Sequence, residues 1–344
     1  MQTELTKPDP LLLPTGRLAQ IGWARQPLLD CNLADANFYP GRFMQSYRLK
    51  RWDYYALFTP QHFFSATIAD LGYAGNIFVY ILNLSTGELH EESLVIPLNR
   101  GITLPRSSTE GDASFKDQHA ALSFRRETDR RIISVSWPDF HHGRGINAEI
   151  SLKSLPEHES MNIVIPIGKK RFYYNHKINC LPAEGFLQYG EYLEEVNPGE
   201  SLGSLDWGRG VWEYSSFWNW ASASGFLPDG RTIGLNLGTG FGDTSQATEN
   251  CFILDGKIHK LDLVEFKYDP LNYAAPWKFT GSDGRLQLNF IPFKERLART
   301  NLLLIFSEIH QIFGRYSGWL KTDDGNKIEI ENLIGFTEVH HARW

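Results

Sequence analysis

The sequence predicts an all-β protein built from two related antiparallel units in tandem, each a sandwich or a barrel. Three observations carry this expectation. Aromatic residues make up 13% of the chain, ten of them Trp, beside 30 Gly, and few stretches have helical periodicity. Short runs of β-branched and aromatic residues recur, punctuated by Asp-Gly turns such as Asp255-Gly256 and Asp283-Gly284. The chain also echoes itself about half its length later. Trp52-Asp53-Tyr54-Tyr55 returns as Trp212-Glu213-Tyr214-Ser215, and Gly87-Glu88-Leu89-His90 as Gly256-Lys257-Ile258-His259. Ala121-Leu122-Ser123-Phe124 returns within 286–290, and Gly143-Arg144 as Gly314-Arg315. A period this long is a domain rather than a solenoid repeat.

Residues 1–45 read as an arm, because Pro8, Pro10, Pro14, Pro27 and Pro40 interrupt every periodic run. The first unit, 46–170, carries strand-like runs at 63–69, 77–84, 121–124 and 131–137. In the last of these Ile133, Val135 and Trp137 share one face and serines the other. Residues 138–147 form a Gly/His turn, followed by strands at 147–152 and 162–167. The second unit, 171–344, contains a long extended run at 211–223, with Trp212, Tyr214, Ser216, Trp218 and Trp220 on one face. A Pro-Asp-Gly turn at 228–230 leads to a strand at 232–239 and a glycine-rich loop, Gly238 to Gly242, that reads as a mobile lip. Strands follow at 286–291, 301–313, 318–322, 327–331 and 335–341. A single short helix is expected at 293–299.

Composition excludes several classes of function. The net charge is −6 and there is no Lys/Arg-rich run, which argues against nucleic acid as a partner. Cys31, Cys180 and Cys251 are odd in number and form no C-x-x-C pair, which favours a reducing compartment. The first 14 residues do not read as a signal peptide, and no apolar run approaches the ~18 residues of a membrane span. A cytoplasmic protein is expected. There is no G-K-[ST] phosphate loop, dinucleotide fingerprint or G-x-S-x-G elbow, so no cofactor is called for.

The segments Phe172-Tyr173-Tyr174-Asn175-His176-Lys177, Leu205-Asp206-Trp207-Gly208-Arg209-Gly210-Val211-Trp212 and Phe217-Trp218-Asn219-Trp220-Ala221 stand out. So do the run from Asp229 to Leu237 and the tail, from Phe313-Gly314-Arg315-Tyr316 to His340-His341-Ala342-Arg343-Trp344. Together they resemble the bacterial domain-of-unknown-function family 2804, over most of the chain and most densely in its second half. That family is remotely similar in fold to tandem lipocalin-like proteins, among them carotenoid hydratases, tocopherol cyclase and the AttH proteins. The resemblance implies two lipocalin-like (calycin-like) antiparallel barrels packed side by side. It also implies an apolar, lipid- or isoprenoid-like small molecule as the partner. No motif here matches the catalytic residues of those enzymes, and none is carried over.

Two Glu-x-His pairs, Glu308/His310 and Glu338/His340, each place an acid and an imidazole on one face of a strand, about 7 Å apart at ~3.3 Å per residue. Glu308 and His310 continue the face of Leu302, Leu304 and Phe306. If that face lines a barrel, Glu308 is a desolvated general acid with His310 beside it; the alternative is a pair of structural ion pairs near the domain interface. Asp206 and Arg209 flank Trp207-Gly208 and read either as a proton donor and an anion anchor or as a mutual salt bridge. Trp212, Trp218, Trp220, Asn219 and Asn236 read as the lining and orienting groups of an apolar cavity, or as core between the units. Catalytic candidates are thus Asp206, Glu308 and His310. Ligand-binding candidates are Arg209, Trp212, Trp218, Asn219, Trp220, Asn236, Glu338 and His340. A zinc site from His310, His340 and a Glu is a minor alternative, and no metal is assigned. The expected function is binding of an apolar small molecule in a barrel. The alternatives are a cofactor-free hydratase or cyclase that protonates a C=C bond, and a scaffold with filled barrels.

Overall fold

The computed structural model describes residues 2–35, 41–302 and 305–343. Leu304, with Pro40 and Trp344, lies outside the described residues, as does the side chain of Leu302. Two curled antiparallel sheets account for most of the chain. The main path of the first runs, edge to edge, through Leu89–Pro97, Ala74–Asn83, His62–Asp70, Leu49–Phe58, Leu202–Val211, Arg171–Tyr189, Ile146–Lys153, Arg130–Trp137, Ala121–Arg126 and Ala113–Lys116. The second runs through Lys257–Lys260, Cys251–Leu254, Thr232–Thr239, Ser215–Phe226, Lys327–Arg343, Ile305–Lys321, Leu286–Leu302, Trp277–Gly281 and Val264–Lys267. Both follow one scheme. A four-strand meander is followed by a longer meander whose last strand returns beside the first strand of the unit. Trp52 and Trp212 fall at or just before equivalent first strands, and Gly87 and Gly256 in equivalent turns. The other two sequence echoes fall at non-equivalent places.

The change of sheet lies between Val211 and Ser215, some forty residues after the expected boundary at 170/171. Arg171–Tyr189 and Leu202–Val211 are central strands of the first sheet, Leu202–Val211 pairing with Leu49–Phe58 in unbroken register. The extended run expected at 211–223 is therefore two strands joined by a short crossing at 212–214. The helix expected at 293–299 is part of the 17-residue strand Leu286–Leu302. Its residues are good helix formers, but pairing with Ile305–Lys321 along its length overrides that local preference. The helix that does form near the N-terminus is Arg42–Arg48. The arm is threaded into the fold: Leu11, Leu12 and Leu29 enter the first core, and Gly22–Ala24 pairs with Met161–Gly168.

Strand alternation sorts the side chains into three compartments. The lumen of the first sheet is filled by residues such as Tyr55, Phe64, Ile77, Val79, Phe124, Val135 and Trp207. That of the second is filled by Leu235, Phe252, Trp277, Phe279, Phe290 and Tyr316. The outward faces of the two sheets meet each other. There Phe63 packs on Phe313 and Phe336 with ring centroids 4.9 and 5.9 Å apart.

Candidate functional site

Where the two outward faces diverge they leave a cavity of about 270 Å³. It lies at the seam between the sheets, not inside either barrel, where the sequence placed it. Each wall follows from the two-residue period. Leu49–Phe58 turns Trp52 and Tyr54 to the cavity and Tyr55 and Leu57 to the lumen. Ala74–Asn83 contributes Asn76, Phe78 and Tyr80, and His62–Asp70 contributes Thr67 and Ala69. Ser215–Phe226 presents Trp218 and Trp220, Ile305–Lys321 presents Ser307, Ile309 and Gln311, and Lys327–Arg343 presents Glu338 and His340. Val95 and Thr300 are exposed members of the lining.

One end of the cavity is acidic. Asp206 accepts a hydrogen bond from Asn175 Nδ2 (2.5 Å) and pairs with Lys177 Nζ (3.0 Å), whose ammonium sits 3.9 Å from the centroid of the Trp220 ring. Glu249 Oε2 lies 3.8 Å from the same ammonium and accepts no hydrogen bond. Burial raises the Glu249 carboxyl above its ordinary range, against the opposing pull of Lys177. Glu338 accepts a hydrogen bond from Trp218 Nε1 (3.1 Å), and burial pushes its carboxyl up to about 7. His340 Nδ1 is 3.8 Å from Glu338 Oε1 and its Nε2 is 2.9 Å from Ser307 Oγ. Burial takes its imidazole down to about 3, so the ring is neutral across the physiological range. The Tyr173 phenol is held well above its ordinary value by burial first, then by Glu249, Asp206 and Glu338.

A phenol–amide chain borders these acids, Tyr54 lying across from Asp206 and Gln311 across from Glu338 in their sheets. The Tyr54 and Tyr80 hydroxyls are 3.0 Å apart, and Tyr80 donates to Gln311 Oε1 (2.8 Å). Arg296 stacks 4.3 Å from the Tyr80 ring centroid while its guanidinium is held by Glu91 at 2.9 and 2.5 Å.

The structure gathers Asp206, Trp212, Trp218, Trp220, Glu338 and His340 around one cavity. It removes the remaining candidates. Glu308 and His310 have the opposite parity to Ser307, Ile309 and Gln311 and point away from the cavity. There Glu308 pairs with Arg299 (3.1 Å) and His310 with Glu295 (2.6 Å), so neither is a buried acid or base of this site. Arg209 faces the first lumen, fully buried, with Nη2 on Asp53 Oδ1 (2.8 Å) and its guanidinium over Trp207. It is a structural cation rather than a ligand anchor. Asn219 faces the second lumen and donates to the Glu338 carbonyl (3.2 Å). Asn236 stands behind the wall, accepting from Trp220 Nε1 (2.8 Å) and so fixing that indole. The loop expected to be a lip is pinned, since Asn250 Oδ1 accepts from the Gly238 amide (2.7 Å) and Glu249 and Asn250 are buried. Among the described residues no three His, Cys, Asp or Glu side chains are placed to hold a metal ion together, and His310 and His340 lie on opposite faces. Nor is any described helix long and apolar enough to cross a membrane.

Sequence reasoning gave no site role to Lys177 or Glu249, and missed Trp52, Tyr54, Tyr80, Tyr173 and Arg296. The signal available was parity. Each of Trp52, Tyr54, Tyr80 and Tyr173 alternates with lumen residues on its strand, which marks an aromatic outer face that needs a covering.

Solved structures share the architecture. CghA aligns over 100% of this chain and 97% of its own, at 10% identity and a TM-score of 0.56. A second structure, CghA with Sch210972, covers 86% of this chain and 88% of its own at 10% identity and a TM-score of 0.53. Kievitone hydratase from Nectria haematococca covers 86% and 88% at 13% identity, with a TM-score of 0.46. No curated protein matches the chain by sequence. Together with the two strand meanders, the likeness to the two CghA structures shows the fold to be a tandem pair of lipocalin-like half-barrels. The family model described as a domain of unknown function, DUF2804, matches residues 2–344, and the chain belongs to that family.

Proposed function

We propose that the protein binds a small, largely apolar molecule in the seam cavity. The observation that carries this reading is an aromatic-walled space of about 270 Å³ left open between the sheets while both lumens are packed with side chains. The space is near the lower end of the roughly 300–1,000 Å³ usual for small-molecule pockets, which suits a compact ligand rather than the whole of a long isoprenoid. Filling it tests the reading. Ala69 lines the cavity on His62–Asp70, and an Ala69→Phe variant puts a ring into it. Native mass spectrometry of protein purified from its host, with organic extraction, should show a bound molecule in the parent and none in the variant. A parent that is always ligand-free, and takes up nothing from a host lipid extract, removes the reading.

The Glu338 carboxyl favours a second reading, proton transfer to that molecule. A carboxyl pushed up to about 7 keeps its proton near neutrality and can deliver it to a C=C bond. Water then captures the resulting cation and returns a proton to the carboxylate, a hydration without cofactor. The aromatic walls favour the cation in between. In this reading Glu338, rather than Glu308 or Asp206, is the acid. A Glu338→Gln variant should keep the ligand and lose turnover; unchanged turnover removes the reading.

A further inference from the structure

Resting on the binding reading, and not on the proton-transfer one, we infer that the ligand carries a cationic group, a protonated amine or quaternary ammonium, seated against Trp52, Tyr173 and Trp212 and facing Asp206, Glu249 and Glu338. Two independent features of the cavity converge on this.

The first is an imbalance of buried charge. Three carboxylates line the cavity, Asp206, Glu249 and Glu338. Against them stand two cations. Lys177 pairs most closely with Asp206 and is shared at longer range with Glu249. Arg296 is already matched by Glu91, which holds it through two hydrogen bonds. Lys260 adds a longer-range attraction to Glu249, but its ammonium donates to Thr248 Oγ1, Asn250 O and Leu261 O and not to that carboxylate, and one carboxylate still lacks a cation. His340 is neutral. Glu249 is buried, lines the cavity and has an oxygen that accepts no hydrogen bond. A buried carboxylate without full compensation is costly, and a ligand cation supplies what is lacking.

The second is the chemistry of the wall at the same end. Trp52 lies 5.1 Å from Trp212 and 6.3 Å from Tyr173, and Tyr173 lies 5.0 Å from Phe241, centroid to centroid. Ring faces attract cations through their quadrupole, with most effect where water is excluded. The cavity already uses this contact once, in the seat of Lys177 on Trp220.

A proton linkage follows. In the empty cavity burial keeps Glu338 and Glu249 protonated above their ordinary range, so protons fill the role of the missing cation. An ammonium group favours their ionised forms, so its binding releases protons and tightens as pH rises.

The test compares benzyltrimethylammonium with its neutral carbon isostere, neopentylbenzene, on the full-length protein by calorimetry and tryptophan fluorescence. Titrations in two buffers of different ionisation enthalpy count the protons released. The expected result is a preference for the cation of roughly tenfold or more, growing from about pH 6 to about pH 8 with proton release. Glu249→Gln and Glu338→Gln, both near-isosteric, should each reduce the preference. Equal or tighter binding of the neutral isostere, without proton release, overturns the inference and leaves the binding reading standing. Binding of neither probe at millimolar concentration, in a protein that does take up another apolar ligand, also overturns it. If the protein takes up no ligand at all, the binding reading falls as well.

Discussion

At the scale of single residues the site is set by which carboxyl and which imidazole lose contact with water. Glu338 keeps its proton up to about 7 in the folded chain but loses it in the ordinary carboxylate range when unfolded. Between those values the folded state binds one more proton, and stability falls with rising pH by about 1.4 kcal/mol per pH unit. His340 acts in reverse. It stays neutral down to about 3 when folded, whereas an exposed imidazole takes its proton at about 6.5, so between these values stability rises with pH. From about pH 4.5 to 6.5 the two slopes oppose each other. Relative to the parent, Glu338→Gln should therefore tilt the stability profile upward with pH and His340→Gln should tilt it downward, as read by urea denaturation across that window. Parallel profiles for all three proteins would refute the assignment. Both members of this pair were legible as a Glu-x-His motif. The motif alone did not separate them from Glu308 and His310, since both pairs share a face on their strand and differ in what that face meets. Asp206 and Arg209 were equally alike in sequence, yet opposite parity sends one to the cavity and the other to Asp53 in the lumen.

At the scale of strands, those at the seam turn one face to a packed lumen and the other to the partner sheet, so aromatics on both faces carry different meanings. Gly208 shows how closely the cavity wall depends on its strand. It pairs directly across from Trp52, and a Cβ there would lie 2.2 Å from the indole ring. Gly208→Ala should push the Trp52 ring from its seat, lower the melting temperature and weaken any seam ligand together. Retention of full affinity and stability would show that Trp52 has slack it does not have in this geometry. Strand existence was readable from alternation and Asp-Gly turns, as at Asp255-Gly256 and Asp283-Gly284. The segment 293–299 was not. Lys294, Glu295, Arg296, Leu297 and Ala298 favour a helix locally, and the register shift between Pro292 and Lys294 also breaks the alternation that would have marked a strand.

At the scale of the whole molecule the two sheets are tied by more than their apolar contact. The long strand Arg171–Tyr189 shifts register between Ile178 and Leu181, with Cys180 at φ 61, and this bulge pushes Asn179 into the second sheet. Its amide lies within hydrogen-bonding reach of Ser222 Oγ and Ala223 O at 3.1 Å and of Leu235 O at 3.3 Å. Asn179→Ala should cost about 1–3 kcal/mol. Because the tie joins two units with separate cores, the variant should also broaden or split the denaturation curve relative to that of the parent. A sharp, unshifted transition would show the tie to be redundant. The boundary between the units was misplaced from sequence because the first sheet closes on strands that come after the apparent second start at Arg171, and a closing strand has no local mark of the sheet it joins.

The separation of packed lumens from a seam cavity has a consequence for how such a protein changes over generations. A barrel that holds its ligand inside must alter its own core to alter its specificity, and each step threatens the fold. Here Phe64, Ile77, Val79 and Ile312 maintain the barrels, while Thr67, Ala69, Asn76 and Ile309 decide the shape of the pocket from the opposite side of the same strands. Inheritance of architecture and inheritance of pocket shape are written on alternate residues. Descendants of one fold can therefore diverge in the pocket they present while their cores stay nearly unchanged.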